Sequence, residues 1–116
     1  TRSLITHVVV PKNIRLLDPM PYKEFVHAMG FAEYVITDSG GAQAEAYILR
    51  TPVIVLREET EWPEIIKDGW GRLVGTDAGR LLSALRTFKV RKDRHSSYAY
   101  GNGNAHEIIK SILSGL

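Results

Sequence analysis

Short β-branched runs recur along this chain, and stretches of helical length and helical spacing separate them. "EYVITD" (residues 33–38) and "PVIVLR" (52–57) are too short for helices, and their apolar residues are continuous rather than alternating. That is the pattern of strands buried on both faces. "GRLVG" (71–75) is a weaker run of the same kind, and residues 14–17 of "NIRLLDP" are a further expected strand. The intervening stretches read as helices. "PYKEFVHAMG" has proline at the first helical position, repeats Tyr22, Phe25, Val26 and Met29 at three- and four-residue steps, and stops at Gly30. "GAQAEAYILR" puts Ala42, Ala46 and Leu49 on one face, and "WPEIIKDG" is a short helix. "TDAGRLLSALRTF" opens with a Thr-Asp cap and repeats Leu81, Leu82, Leu85 and Phe88, and "NAHEIIKSILSGL" is a final amphipathic helix. Strands alternating with helices of about ten residues predict βαβ units. The expected fold class is α/β: a Rossmann-like parallel sheet with helices on both faces, reached by right-handed crossovers.

Composition narrows the function classes. The 116 residues are 44% hydrophobic and 24% charged, a single domain (1–116) able to bury a core without covalent staples. Cysteine is absent, which excludes disulfides and thiolate metal sites and fits a cytoplasmic protein. No apolar run approaches the roughly 18 residues of a membrane span, and no signal-peptide pattern is present, so no membrane partner is expected. A net charge of +2 is too small to argue for nucleic acid. The basic stretch "RTFKVRKDRHSSYAY" (86–100) reads as a loop ahead of a terminal helix at 103–114, with Arg91, Lys92 and Arg94 solvated. The chain begins at Thr1 rather than methionine, as a piece of a longer protein would.

The chemistry concentrates in "VITDSGGAQAEA" (35–46). Its Asp38-Ser39-Gly40-Gly41 nearly spells a serine-protease signature. That chemistry needs a histidine base and an orienting acid beside the serine, and the spacing places none of His7, His27, His95 and His106 there. The α/β-hydrolase elbow needs glycine at position 37, which is threonine. A phosphate cradle fits better. A strand ends, four small or polar residues turn the chain, and a helix begins at the carboxyl edge of a parallel sheet, where open α/β folds bind ligands. Helix N-terminal amides carry unpaired donors and partial positive charge. Gly40 and Gly41 leave the backbone approachable, and the Ser39 hydroxyl adds a donor. A plain N-cap through Asp38 or Ser39 is the competing reading. Glu45 lies four residues beyond Gly41, on the same helical face and about 6 Å along the axis. There it suits a ribose diol better than a phosphate, although a solvated glutamate remains the alternative.

With these residues in view, "DPMPYKEFVHAM", "VITDSGGAQAEA", "TPVIVLREETEWPE", "GRLVGT" and the tail "YAYGNGNAHEII" together resemble the C-terminal half of the non-hydrolysing UDP-N-acetylglucosamine 2-epimerases. The resemblance runs from about Asn13 to Ile109. It implies the second lobe of a two-domain glycosyltransferase-B-type fold, in which two Rossmann-like domains close over a nucleotide sugar. It implies UDP or a UDP-sugar as ligand: Ser39, Gly40 and Gly41 on the diphosphate, Glu45 on the ribose, Phe25 against the uracil or binding it through its backbone, with Met20 and Arg57 as further candidates. It also implies a first lobe absent from this chain, a homodimeric parent, and no NAD, metal or other cofactor.

This sequence departs from the family pattern at several points. The usual glutamine near the base is Met20, the Gln-Glu-Glu run is Gln43-Ala44-Glu45, and an arginine is replaced by Trp62 in "TEWPE". Asn102 stands where the tail has aspartate. Arg57 could equally be held by Glu58, Glu59 or Glu61. The family's reaction eliminates UDP and adds it back to the opposite face of a 2-acetamidoglucal intermediate. That needs acid and base groups from the first lobe and a histidine segment that this chain lacks, so no residue here is expected to be catalytic. In the family the last helix reaches onto the first lobe. The apolar face Ile108, Ile109, Ile112 and Leu113 is therefore expected without its partner, mobile, swapped or packed on a neighbouring molecule. A glycosyltransferase lobe of the same fold and a stand-alone nucleotide-binding module are the other functions this sequence admits.

Overall fold

The computed structural model describes residues 9–90 and 99–116. Helix α1 (Tyr22–Phe31) leads into β1 (Val35–Thr37), α2 (Gly40–Ile48), β2 (Val53–Val55), α3 (Pro63–Lys67), β3 (Gly71–Leu73), α4 (Ala78–Thr87) and α5 (Ala105–Ser114). The three strands form one parallel sheet in the order β1-β2-β3, with Val35 opposite Val53 and Val53 opposite Gly71. Arg91, Lys92, Arg94, His7 and His95 lie outside the described residues.

Central strand β2 is buried along its whole length because helices cover both faces. Side chains alternate across a strand. Val53 and Val55 therefore join Ala46 and Tyr47 of α2, Ile65 of α3 and Trp70 in one cluster. Ile54 points the other way, into Val74, Ala84 and Phe88 beneath α4. The termini of three helices show how local chemistry sets them. Asp77 caps α4 by accepting from the Arg80 amide at 2.7 Å. Helix α3 starts with Pro63 and closes in a Schellman turn, with the Gly69 amide to Ile66 O, the Trp70 amide to Ile65 O, and Gly69 at φ 76°. Helix α2 closes in the same motif, but the left-handed position is Arg50 at φ 58°, a conformation that costs a non-glycine residue about 1 kcal/mol.

Four expectations need correction. Residues 14–17 form neither strand nor helix, and Ile14, Leu16 and Leu17 stay exposed. A short, partly apolar run becomes a strand only where a neighbour takes its backbone hydrogen bonds, and none of the three described strands does. Helix α1 runs one residue past Gly30, and of its expected apolar positions only Met29 is buried. On α2, Ala42 and Ala46 are buried while Leu49 is only half-buried. On α4 the inward stripe is Leu81, Ala84 and Phe88, while Leu82 and Leu85 are exposed: the sheet covers only a narrow arc of the helix. Helix α5 buries no residue, so Ile108, Ile109, Ile112 and Leu113 all face solvent.

Helix α3 approaches β3 closely at Gly71, where an added Cβ would meet the apolar side-chain atoms Ile65 Cγ2 at 2.7 Å and Ile66 Cδ1 at 2.9 Å. Gly71→Ala overpacks the seam between β3 and α3 and should lower the unfolding free energy by about 1–3 kcal/mol in urea titration. A midpoint equal to the parent protein's would show that α3 is not seated on β3 as described.

Candidate functional site

Parallel pairing brings the carboxyl ends of all three strands to one sheet edge, and the turn at residues 38–41 lies there. Ser39 is the N-cap of α2: its Oγ accepts from the Ala42 amide at 3.4 Å, and its own amide donates to Thr37 Oγ1 at 3.0 Å. The N-cap expectation is thus met through Ser39 rather than Asp38, and the Ser39 hydroxyl proton stays available for donation. The amides of Gly40 and Gly41, the first two of the helix, have no partner among the described residues. Gly41 is exposed. A Cβ there would find only Ser39 Oγ, at 4.0 Å. Neither glycine has positive φ. Packing and backbone therefore do not demand glycine at position 41, and its effect is to leave the helix terminus open to a ligand.

Glu45 sits one turn along α2, half-buried, and its Oε1 accepts from the Tyr22 hydroxyl at 3.0 Å. Phe25, one turn after Tyr22 on α1, is 39% exposed and shares that face. Met20 is half-buried just ahead of α1. Tyr22, Phe25 and Glu45 therefore stand together beyond the glycine turn.

Arg57 leaves the end of β2 and makes a two-pronged ion pair with Glu61, Nη1–Oε2 at 2.9 Å and Nη2–Oε1 at 2.8 Å. Among the three glutamates in reach, Glu61 is the partner. Glu61 Oε2 and Trp62 Nε1 lie 3.4 and 3.6 Å from where a Cβ on Gly40 would stand, so both sit at the rim of the turn. Trp62 also packs on the β2 core and meets Tyr100 edge-on at 5.1 Å.

Sequence reasoning gave Gln43 no role of its own. It is fully buried, and its Oε1 accepts from the Thr60 hydroxyl at 2.6 Å while Thr60 Oγ1 accepts from the Trp62 amide at 3.0 Å. This chain ties the loop 58–62 to α2 beside the glycine turn. The available signal was a glutamine on the alanine-lined inner face of a helix, where an amide must find a partner. Its Nε2 has none among the described residues. Tyr100 donates to Glu64 at 3.0 Å and stacks edge-on against Tyr47, which pins the tail to α3. Burial first, and the Glu64 hydrogen bond second, push its hydroxyl pKa well up.

A cavity of about 710 Å³ opens at the opposite, amino-terminal edge of the sheet, lined by Tyr34, Arg50, Pro52, Trp70 and Lys89 among others. It lies away from the glycine turn. Among the described residues no three His, Cys, Asp or Glu side chains converge as metal ligands.

A family model described as UDP-N-acetylglucosamine 2-epimerase matches residues 1–114. The chain belongs to the UDP-N-acetylglucosamine 2-epimerase family. The Escherichia coli K12 enzyme of that name is 42% identical over 109 residues, covering 88% of this chain and 28% of the enzyme. The UDP-2,3-diacetamido-2,3-dideoxy-D-glucuronate 2-epimerase of Pseudomonas aeruginosa is 30% identical over 116 residues, all of this chain and 33% of that enzyme. The crystal structure of the Methanocaldococcus jannaschii epimerase in complex with UDP-GlcNAc and UDP superposes with a TM-score of 0.78 at 39% identity, over 90% of this chain and 29% of that one. The chain thus spans about a third or less of the epimerases it matches.

The Arg57 guanidinium, chiefly through its hydrogen bonds, holds the Glu61 carboxyl below the ordinary glutamate range. A carboxyl lowered in the folded state stabilises the fold above its unfolded pKa, and that contribution disappears as pH falls through the folded value. A carbon-13 titration should place Glu61 below a free glutamate, and Arg57→Gln should move it up. An unchanged midpoint in the variant would mean that the pair does not form in solution.

Proposed function

We propose that the turn Ser39-Gly40-Gly41 is the diphosphate cradle of a UDP-sugar site, and that this chain is the UDP-binding half of a UDP-N-acetylglucosamine 2-epimerase. The observation that carries this reading is the pair of Gly40 and Gly41 amides at the start of α2, without a partner among the described residues, with Gly41 exposed and Glu45 one turn beyond. Donors alone would suit any anion. Donors followed by a displaced carboxylate and an exposed aromatic suit a nucleoside diphosphate: phosphates on the amides and the Ser39 hydroxyl, ribose on Glu45, base near Phe25 and Met20. Family membership and the UDP-bound relative support the same assignment.

In the parent enzyme this half would stabilise charge on UDP as the anomeric C–O bond breaks, which the helix terminus does without moving a proton. Acid–base groups would come from the first lobe, and the isolated chain would catalyse nothing. Arg57 would keep the Glu61 carboxylate at the rim from repelling the diphosphate. The parent would interconvert UDP-GlcNAc and UDP-ManNAc as a cytoplasmic homodimer without cofactor. Among the described residues β1 has a strand neighbour on one side only, and its other edge is where further strands would pair.

Calorimetric titration of the chain should give tighter binding of UDP than of ADP. Glu45→Ala should weaken UDP by roughly tenfold, the loss of a hydrogen-bonded charged group. Equal affinity for both nucleotides, or none for either, would overturn the assignment. Gly41→Ala should raise stability by about 0.5 kcal/mol while weakening UDP, because an open helical glycine is being filled. A variant that gains stability and keeps full UDP affinity would place the ligand elsewhere.

A further inference from the structure

Glu45 is not a free carboxylate. The Tyr22 hydroxyl reaches it from the neighbouring helix, 23 residues away in sequence, and donates to Oε1 at 3.0 Å. The phenol is 66% exposed and has no other hydrogen-bond partner among the described residues. Neither packing nor a shortage of solvent explains a bond between two side chains that water could satisfy equally well. Its physical consequence is directional: a flexible glutamate is fixed with one oxygen occupied, and Oε2 is left as the acceptor.

We propose that Tyr22 is a positioning residue for ribose recognition: its hydroxyl commits one oxygen of Glu45, and the other is thereby held ready for the 2′,3′-cis-diol of a nucleoside diphosphate. This rests on the assignment of the glycine turn as the diphosphate cradle and deepens it, because it adds a requirement for ribose itself. A glutamate that must be ordered at the moment of binding gives up rotamer freedom then; one already held does not. The hydroxyl stays a donor across the neutral range, since the hydrogen bond to Glu45 and the nearby negative charge both raise its pKa. No proton is transferred and no bond is made, so Tyr22 acts through Glu45 rather than on the substrate. Phe25, one turn along α1, leaves the same face aromatic beside the position assigned to the nucleoside.

The test compares UDP with 2′,3′-dideoxy-UDP on the wild-type chain, Tyr22→Phe, Glu45→Gln and the double variant. Tyr22→Phe should weaken UDP roughly two- to tenfold, the range expected for ordering one long side chain. It should leave dideoxy-UDP unchanged and cost less than twofold once Glu45 is glutamine. Equal losses for the two ligands, or losses that simply multiply in the double variant, would overturn the proposal while leaving the cradle assignment intact. A folded wild type that binds neither ligand would overturn both. Independently of any ligand, Glu45→Gln should lower the Tyr22 phenol titration midpoint seen by ultraviolet difference absorbance. An unmoved midpoint means that the bond is absent, and the proposal falls whatever UDP does.

Discussion

Parallel pairing of β2 between its two neighbours is the constraint from which the rest follows. With Thr37, Val55 and Leu73 in register, every strand ends at the same edge. The chain leaving β1 at Asp38 and the chain leaving β2 at Leu56 therefore emerge side by side. Each turns into or toward a helix, and a helix starting at that edge presents its N-terminal amides there. The glycine turn and the loop that rims it are consequences of topology before any particular side chain is considered. An antiparallel β2 would have sent one of them to the opposite edge.

Side chains then refine what the topology provides. Gln43 is buried among apolar neighbours, where an amide is costly unless it is bonded. Its bond to Thr60, and that of Thr60 to the Trp62 amide, couple the inner face of α2 to the loop after β2. Glu61 and Trp62 are placed over Gly40 as a result. Trp62 is in turn braced by Tyr100, itself bonded to Glu64, so the chain beyond α4 also helps to fix the rim. One helix thus carries three separate functions along its length: amides at its start, a loop anchor at Gln43, and a carboxylate at Glu45.

Much of this was legible in the sequence, and the misses share a cause. The strands at 35–37, 53–55 and 71–73 fall inside the three short runs, but only β2 is buried on both faces and apolar throughout. Ile36 of β1 is exposed and β3 carries Arg72, so those two strands are covered less completely than their runs suggested. Asp77 and Pro63 marked helix starts by chemistry that acts within a few residues. What failed depended on partners remote in sequence. Residues 14–17 have strand composition but no strand beside them. Leu82 and Leu85 fit helical spacing as well as Ala84 does, and only the width of the sheet decides between them. At the site, Glu45 could be singled out from its spacing to Gly41. Its bond to Tyr22, and that of Gln43 to Thr60, join residues far apart in sequence, which no periodicity reports.

Under the proposed function, the openness of the glycine turn and the bareness of α5 have one explanation. Amides facing bulk water exchange one set of hydrogen bonds for another when an anion arrives, and ions in solution screen the helix field within about 10 Å. Such a terminus holds a diphosphate weakly. The same donors become far stronger once water is excluded, because the local dielectric falls and the dipoles are already aligned. Under the proposed function, a second lobe laid over these amides would exclude that water. The exposed Leu82, Leu85, Ile108, Ile109, Ile112 and Leu113 of this chain are apolar surface of the kind that a larger assembly covers. Burying such surface against that lobe would release free energy toward closing a wet cleft, so under the proposed function the exposed apolar side chains and the open amides would act together.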